Sequence, residues 1–136
     1  MNNGMSKAQG GFTLIELIIV IVVLGILASV AAPYFFNVSD DAETAAVKAQ
    51  AKNLDSAIDM NNGGCLLTSH KATANKCVAI NNCNQVGSLL KTGSLPSEFS
   101  VNDQAITGAD GVAKTSCTLT KGTKTAIFVA IKAGNS

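Results

Sequence analysis

The fold of this chain is decided by residues 12–36, FTLIELIIVIVVLGILASVAAPYFF. From Leu17 to Phe36 the stretch runs for 20 residues without a charge. A helix of that length covers roughly 30 Å, which is the thickness of the hydrocarbon core of a bilayer. The stretch therefore predicts a helix that spans a membrane once.

A short polar leader precedes the apolar span. Residues 1–11 carry one charge, Lys7, and end in Gly10-Gly11. A secretory signal places its small-residue cleavage site after the apolar core, whereas here the small residues stand before it. A cut after Gly11 would therefore keep the span in the mature protein. The sequence does not decide whether the chain starts at Met1 or at Met5.

Glu16 is the only acid within the apolar stretch. A carboxylate at bilayer depth costs on the order of 2.5–3.5 kcal/mol, which makes Glu16 a candidate functional residue. The alternative is an acid that only marks the edge of the span. A cut after Gly11 would place the free amine of Phe12 one turn before Glu16, at a helix end that favours acids. Paired between neighbouring chains, these charges would set the axial register of packed helices.

Residues 11–17, Gly-Phe-Thr-Leu-Ile-Glu-Leu, resemble the N-terminal motif of type IV prepilins. The resemblance covers residues 10 to about 60 and fades in the C-terminal half. It implies that a membrane-embedded prepilin peptidase cuts between Gly11 and Phe12 on the cytoplasmic side and methylates the Phe12 amine. It also implies that Glu16 is the register-setting acid of the family.

Gly25 and Pro33 fall where similar pilins carry helix-weakening residues. Proline removes a backbone donor, and glycine costs about 1 kcal/mol relative to alanine in a helix. One interpretation is a kinked membrane span, and the other is local melting that lets a filament stretch. The run 31–42, with Ala31-Ala32-Pro33 and Asp40-Asp41-Ala42, is similar to the mannose-sensitive haemagglutinin type of type IVa pilin.

The helical pattern continues as an amphipathic helix. Ser39 or Asp40 is the predicted N-cap, with Asp41 and Glu43 as acids in the first turn. The predicted core face consists of apolar residues at helical spacing: Val47, Ala51, Leu54 and Ile58. Asn and Gly residues at 61–64 predict the end of this helix.

All four cysteines lie outside the apolar span: Cys65, Cys77, Cys83 and Cys117. Their even number predicts two disulfides in an oxidising compartment. A four-ligand zinc site is the alternative, which the absence of any C-x-x-C pair disfavours. Three pairings are possible. We favour Cys65–Cys77 with Cys83–Cys117, each contributing roughly 3–4 kcal/mol in the chain-entropy model.

Short secondary-structure elements are predicted after the first cysteine. Residues 84–90 are a candidate short helix, and residues 115–120 and 125–131 are β-rich runs around a turn at Lys121-Gly122. Residues 99–101 and 104–106 are candidates for further strand. The predicted fold class is α+β, a long N-terminal helix packed on a small antiparallel sheet, and the pilin resemblance implies the same head.

We therefore expect four segments: a leader (1–11), a transmembrane and polymerisation helix (12–36), an amphipathic helix (37–62) and a disulfide-stapled globular head (63–136).

No residue pattern predicts catalysis, a metal site or a cofactor, so we expect no enzyme. The lone His70 lies in a Ser-, Lys- and Thr-rich loop and is expected to be solvated. With 10 Lys and Arg against 9 Asp and Glu, no specific nucleic-acid partner is expected either. Four lysines follow Asp110 with no acid among them. These lysines are Lys114, Lys121, Lys124 and Lys132. They are interpreted as a solvated face, as a surface complementary to the acids at 40–43 of a neighbouring subunit, or as a weak binding patch for polyanions.

From the resemblance we expect the structural subunit of a type IV pilus. Such a subunit would wait in the bacterial inner membrane, meet the prepilin peptidase and the pilus assembly machinery, and form a homo-oligomeric helical filament outside the cell for adhesion. The first alternative is a pseudopilin of a type II secretion system. The second is a plain single-span envelope protein in which the motif is a coincidence.

Overall fold

The computed structural model describes residues 10–135, and its secondary structure comprises one long helix, one 3₁₀ helix and three strands. In chain order these are α1 (Leu14–Leu67), the 3₁₀ helix (Cys83–Leu89), β1 (Ser100–Val101), β2 (Lys114–Lys121) and β3 (Lys124–Ile131). The predicted α+β class is thereby confirmed. Residues 1–9 of the predicted leader lie outside the described residues.

The chain divides into two compact units, one ending at Ser39 and the other beginning at Asp40. The second unit includes residues 40–62, which belong to the segment that the sequence analysis named the amphipathic helix (37–62) and expected to pack on the sheet. These residues share a core with the sheet, because their apolar stripe is buried against it.

The first unit is helical from Leu14 onward and leaves its apolar side chains uncovered. Every large apolar residue from Leu14 to Val38 is exposed. The helix is long and apolar enough to cross a membrane. An apolar surface of this size needs an apolar surrounding, either a bilayer or a bundle of other helices.

The helix α1 does not begin anew at Ser39 or Asp40, so the predicted N-cap there is wrong. Pro33 lies inside the helix, and no Gly or Pro follows it before Asp40. A proline within a helix removes one hydrogen bond but does not by itself supply an end. Asp41 and Glu43 are therefore acids in the interior of a helix and cap nothing.

The helix α1 ends at Leu67, beyond the end predicted at 61–64. The side chain of Asn61 does not break the helix, because it bonds a neighbouring segment instead. Its Oδ1 accepts from the Val78 N–H at 2.8 Å, and its Nδ2 donates to the Val78 carbonyl at 2.9 Å. An asparagine that would favour a helix end is thus held inside the helix by tertiary contact.

The glycine at position 64 allows a close approach of chain segments. A Cβ at Gly64 would overlap the carbonyl oxygen of Lys76, whereas a Cβ at Gly63 would meet open space. The disulfide Cys65–Cys77 holds this approach in place. The glycine therefore serves helix-to-loop packing here and does not mark the helix end.

The sheet is antiparallel with strand order β1-β2-β3. The strands β2 and β3 pair over their whole length, from Lys114↔Ile131 to Lys121↔Lys124, and Gly122 in the turn has φ 57°. The predicted hairpin is therefore confirmed, with a glycine where the turn needs positive φ. The strand β1 adds two pairs to β2.

The short elements around the sheet follow the predictions in part. Residues 84–90 contain most of the 3₁₀ helix, whose N-cap Asn82 forms a capping box with Gln85. Residues 104–106 form one isolated bridge, Asn82↔Ala105, and not a strand. The reason is that the Gln104 N–H donates to Asn82 Oδ1 at 3.2 Å and is therefore not used in a regular strand pairing.

The core of the second unit lies between α1 and the sheet. The predicted stripe is confirmed as its helical side, since Val47, Ala51, Leu54 and Ile58 are all buried. The sheet and the loops contribute the opposite side: Phe128, Leu119, Ile131, Ile80, Val86 and Ile106. A second, smaller cluster joins the Cys65–Cys77 disulfide to Ala133.

Candidate processing and assembly site

Thr13 and Glu16 form a capping box at the start of α1. The Thr13 N–H donates to Glu16 Oε2 at 2.8 Å, and the Glu16 N–H donates to Thr13 Oγ1 at 3.4 Å. The Thr13 hydroxyl also donates to Glu16 Oε2 at 3.0 Å. Each side chain thus satisfies a backbone N–H that the first helical turn leaves without a partner.

The capping box leaves one carboxylate side chain anchored at the edge of an apolar helix. Two of the three bonds end on the same oxygen, Oε2, and both come from Thr13. In the uncut chain the Phe12 nitrogen is a peptide amide, so a pairing of Glu16 with a free Phe12 amine stays a prediction. The sequence analysis missed Thr13, although a Thr three residues before a Glu and next to an apolar run is a capping-box signal.

The predicted cleavage point lies directly before this capping box. Gly10, Gly11 and Phe12 precede the helix, and all three are exposed. A Cβ built at Gly10 or Gly11 would have no neighbour within 4 Å. The peptide bond between Gly11 and Phe12 is therefore free of steric cover from the part of the chain that the structure describes.

Three features thus lie together at the N-terminal end of α1. They are the exposed Gly10-Gly11 pair, the Thr13–Glu16 capping box and a helix of exposed apolar residues. Residues 6–32 match the family model described as the prokaryotic N-terminal methylation motif. This end of the chain thus carries an N-terminal methylation motif. The match covers residues 6–11 of the predicted leader, the Thr13–Glu16 capping box and the apolar helix as far as Ala32, but not the second unit.

Similar proteins come from two kinds of assembly. The chain is 38% identical over 68 residues to the type IV major fimbrial protein of Dichelobacter nodosus, covering 50% of this chain and 40% of that protein. It is 53% identical over 47 residues to the type IV narrow pilus major component of Thermus thermophilus, covering 35% and 40%. It is also 41% identical over 54 residues to the type II secretion system core protein G of Pseudomonas aeruginosa, covering 40% and 38%.

The matched part of the chain spans about two fifths of the length of these relatives. No solved structure matches the chain. The likeness to these relatives thus extends over no more than half of this chain.

The two predicted helix-weakening residues, Gly25 and Pro33, lie inside the continuous helix α1. Gly25 has open space around it and Pro33 adds no break. Ser29, whose carbonyl would bond residue 33 if it were not proline, donates its hydroxyl to the Ile26 carbonyl at 2.7 Å. Whether the helix melts between Gly25 and Pro33 under load stays a prediction.

The four cysteines pair as Cys65–Cys77 and Cys83–Cys117, which is the pairing that the sequence analysis favoured. The first bridge joins the last turn of α1 to the next loop. The second joins the 3₁₀ helix to β2 across the core. With all four sulfurs bonded, the zinc alternative has no thiolate ligands.

Three of the four late lysines have partners within their own chain. Lys124 Nζ lies 2.6 Å from Asp40 Oδ1, Lys121 Nζ lies 3.2 Å from Glu98 Oε1, and Lys132 Nζ donates to the Gly108 carbonyl at 2.8 Å. The predicted solvated face is therefore wrong for these three. The predicted complement to acids of a neighbouring subunit is wrong for Lys124, because Asp40 of its own chain occupies it.

His70 is half-buried, so the predicted solvated histidine is also wrong. A Cβ at Gly111 would stand 2.7 Å from the His70 ring, which therefore packs on bare backbone. His70 Nδ1 and Asn62 Oδ1 are both buried without a hydrogen-bond partner among the described residues. The imidazole fills a gap between the end of α1 and a loop, and no local residue pattern around His70 predicts this packing.

Proposed function

We propose that this protein is a structural subunit of a type IV pilus, made as a prepilin and polymerised through the first part of α1. The observation that carries the proposal is the exposed apolar helix headed by the Thr13–Glu16 capping box. A helix with this surface must be covered by lipid before assembly and by other helices afterwards. The relatives named as pilus and fimbrial components support the same conclusion.

Processing would occur at the exposed bond between Gly11 and Phe12. Hydrolysis of that peptide bond by a prepilin peptidase leaves a carboxylate on Gly11 and an amine on Phe12. Transfer of a methyl group from a sulfonium-type donor to that amine breaks the sulfur–methyl bond, leaves a thioether and releases one proton from nitrogen, and the methylated amine stays basic. The new cation would lie next to the capping box of its own chain and could reach Glu16 of an adjacent one.

Glu16 would set the register between subunits. An unpaired charge buried in a bundle of apolar helices costs free energy. The most stable axial register between subunits is therefore the one in which each Glu16 carboxylate pairs with a Phe12 amine. The partners in this proposal are further copies of the chain in a helical filament, the inner membrane before assembly, the peptidase and the assembly machinery. The subunit would have a structural role without catalysis of its own, and adhesion would be a property of the filament.

A second candidate function is a pseudopilin of a type II secretion system. The identity to core protein G of Pseudomonas aeruginosa and of Klebsiella michiganensis favours it. Both candidates use the same N-terminal segment, so the segment does not separate them. What separates them is where the assembled protein is found.

The deciding experiment is the intact mass of the protein in filaments sheared from the cell surface. The expected chain starts at Phe12 and carries one additional methyl group. Its mass is lower than that of the reduced chain by four hydrogens, because each of the two disulfides removes two. A processed chain found only in inner-membrane fractions would favour the pseudopilin. An uncut chain that still carries its leader would contradict both candidates.

A further inference from the structure

A groove of about 600 Å³ opens on the second unit, between α1, the loop closed by Cys65–Cys77 and the end of the 3₁₀ helix. Its apolar lining includes Met60, Val78, Leu89 and Leu90. Met60 is 79% exposed, although it is a large apolar side chain only two positions after Ile58 of the buried stripe. A groove of this composition is a docking surface for which the second unit supplies no occupant.

Two lysines line the same groove, Lys76 from the disulfide loop and Lys91 from the end of the 3₁₀ helix. Both are exposed. The ion pairs among residues 10–135 use Lys52, Lys121 and Lys124, so the two groove lysines are unpaired there. The groove therefore combines an apolar lining with two unneutralised positive charges.

The same unit carries exposed acids that form none of the ion pairs described among residues 10–135, among them Asp41, Glu43 and Asp59, and the first two stand close together in the chain. They are exposed on α1, and none of the described ion pairs involves them. Asp40 beside them is occupied by Lys124, and Asp55 binds the Val129 N–H at 3.0 Å. Asp41 and Glu43 are two positions apart on α1 and therefore project on either side of Ala42, so the acidic segment 41–43 presents two separate negative charges on a chain that also carries the two groove lysines.

We propose that the groove of one copy receives the acidic segment 41–43 of a second copy, with Lys76 and Lys91 facing Asp41 and Glu43. This inference rests on the proposed function, because it names one subunit contact within the filament. Two different, complementary surfaces on one chain make a head-to-tail contact, and such contacts build open helical assemblies. Opposite charges would also fix which copies meet and reject wrong registers.

The positions on α1 give the stagger of the contact. Segment 41–43 precedes Met60 by 17 to 19 residues along the same helix. At the helical rise this corresponds to roughly 27 Å. Two copies joined this way are therefore displaced by that distance along the axis of α1.

The test is a charge exchange in the full-length chain, read out as filament sheared from cells. The acidic-segment variant is Asp41→Lys with Glu43→Lys, and the groove variant is Lys76→Glu with Lys91→Glu. Each variant places like charges in the contact, and we expect about tenfold less surface filament for either one. The four-fold combination keeps the net charge of the wild type and is expected to recover at least half of its filament.

A matched control reverses two other lysines, Lys71→Glu with Lys114→Glu. Both are exposed, form none of the described ion pairs and do not line the groove. Lys71 lies in the same disulfide loop as Lys76. We expect this control to assemble like the wild type, which separates loss of the contact from a general effect of charge. Membrane abundance and an intact mass with both disulfides establish that every variant folds.

The outcomes separate this inference from the proposed function. If the wild type forms no surface filament, the proposed function falls and the contact falls with it. If the wild type assembles and the single-surface variants do too, only the contact is wrong. Loss in the groove variant alone, or no recovery in the combination, means that the groove binds another partner such as an anionic lipid. In an electron-microscopic reconstruction of the filament, the absence of neighbours staggered by roughly 27 Å along α1 would also overturn it.

Discussion

The two compact units of this chain differ in how much of their apolar surface they bury. The second unit buries an apolar stripe of α1 against a three-stranded sheet and adds two disulfides. The first unit buries almost nothing and keeps a row of Leu, Ile, Val and Phe side chains exposed. The difference teaches that the first unit is completed by its surroundings, whereas the second is completed by its own residues.

The largest effect is expected from a substitution in the first unit, at Glu16, because that unit depends on its surroundings. In the variant Glu16→Ala the capping carboxylate disappears and the Phe12 amine of a processed subunit loses its predicted partner. Leaving one charge unpaired in an apolar bundle costs on the order of 2.5–3.5 kcal/mol, so we expect roughly 100-fold less surface filament. Quantification of sheared filament measures the loss, with the total membrane level expected to stay normal. Assembly at wild-type levels would contradict the register role.

The second unit is most sensitive at its disulfides, and the two should differ. Removing Cys83–Cys117, which closes a separation of 34 residues, costs about 4 kcal/mol, and removing Cys65–Cys77, which closes 12, costs about 3 kcal/mol. Thermal unfolding of the two double-serine variants in detergent measures the order. A larger loss for the shorter loop would contradict the chain-entropy account. Neither change should alter the helicity of the first unit.

A matched pair of leucines sharpens the comparison directly. Leu54 is fully buried in the core, and Leu24 is 58% exposed on the same helix. Leu54→Ala should destabilise the second unit by about 2–5 kcal/mol, because it leaves a cavity. Leu24→Ala should leave that unfolding transition unchanged. Denaturant unfolding followed by near-ultraviolet circular dichroism measures both, and equal losses would contradict the independence of the two units.

The smallest expected effect concerns Thr13. Thr13→Val removes the hydroxyl of the capping box and keeps the side-chain shape, and we expect about 1 kcal/mol less stability in the first turn of α1. Hydrogen exchange at the Glu16 amide in detergent measures it, since that N–H donates to the hydroxyl. The amide of Leu54 serves as an internal control in the second unit. Unchanged exchange at Glu16 would mean that the capping box contributes no stability there.

Regular periodicity and local turn chemistry account for what the sequence predicted. The stripe from Val47 to Ile58 and the hairpin around Gly122 depend on spacing and on one residue type, and both are in the structure. The favoured cysteine pairing is present as well. The stripe and the hairpin are local features, whereas the cysteine pairing was one of three open possibilities and joins residues 12 and 34 positions apart.

What the sequence failed to predict depends on contacts between distant segments. The helix α1 extends beyond its predicted end because Asn61 forms hydrogen bonds with Val78, 17 residues away, and helix propensities do not include such a contact. Lys124 and Asp40 are separated by more than 80 positions, so their pairing was equally hidden. The role of Thr13 was within reach, since its signal lies three residues from Glu16.

Gly63 and Gly64 stand side by side in the chain but tolerate a side chain differently. A Cβ at position 63 would meet open space, so a better helix former fits there. A Cβ at position 64 would overlap the backbone of Lys76, so any larger residue there requires the disulfide loop to move. Because Lys76 also lines the groove, a change at Gly64 would carry the shape of that docking surface with it. The shape of the groove is thus coupled to a residue that does not line it.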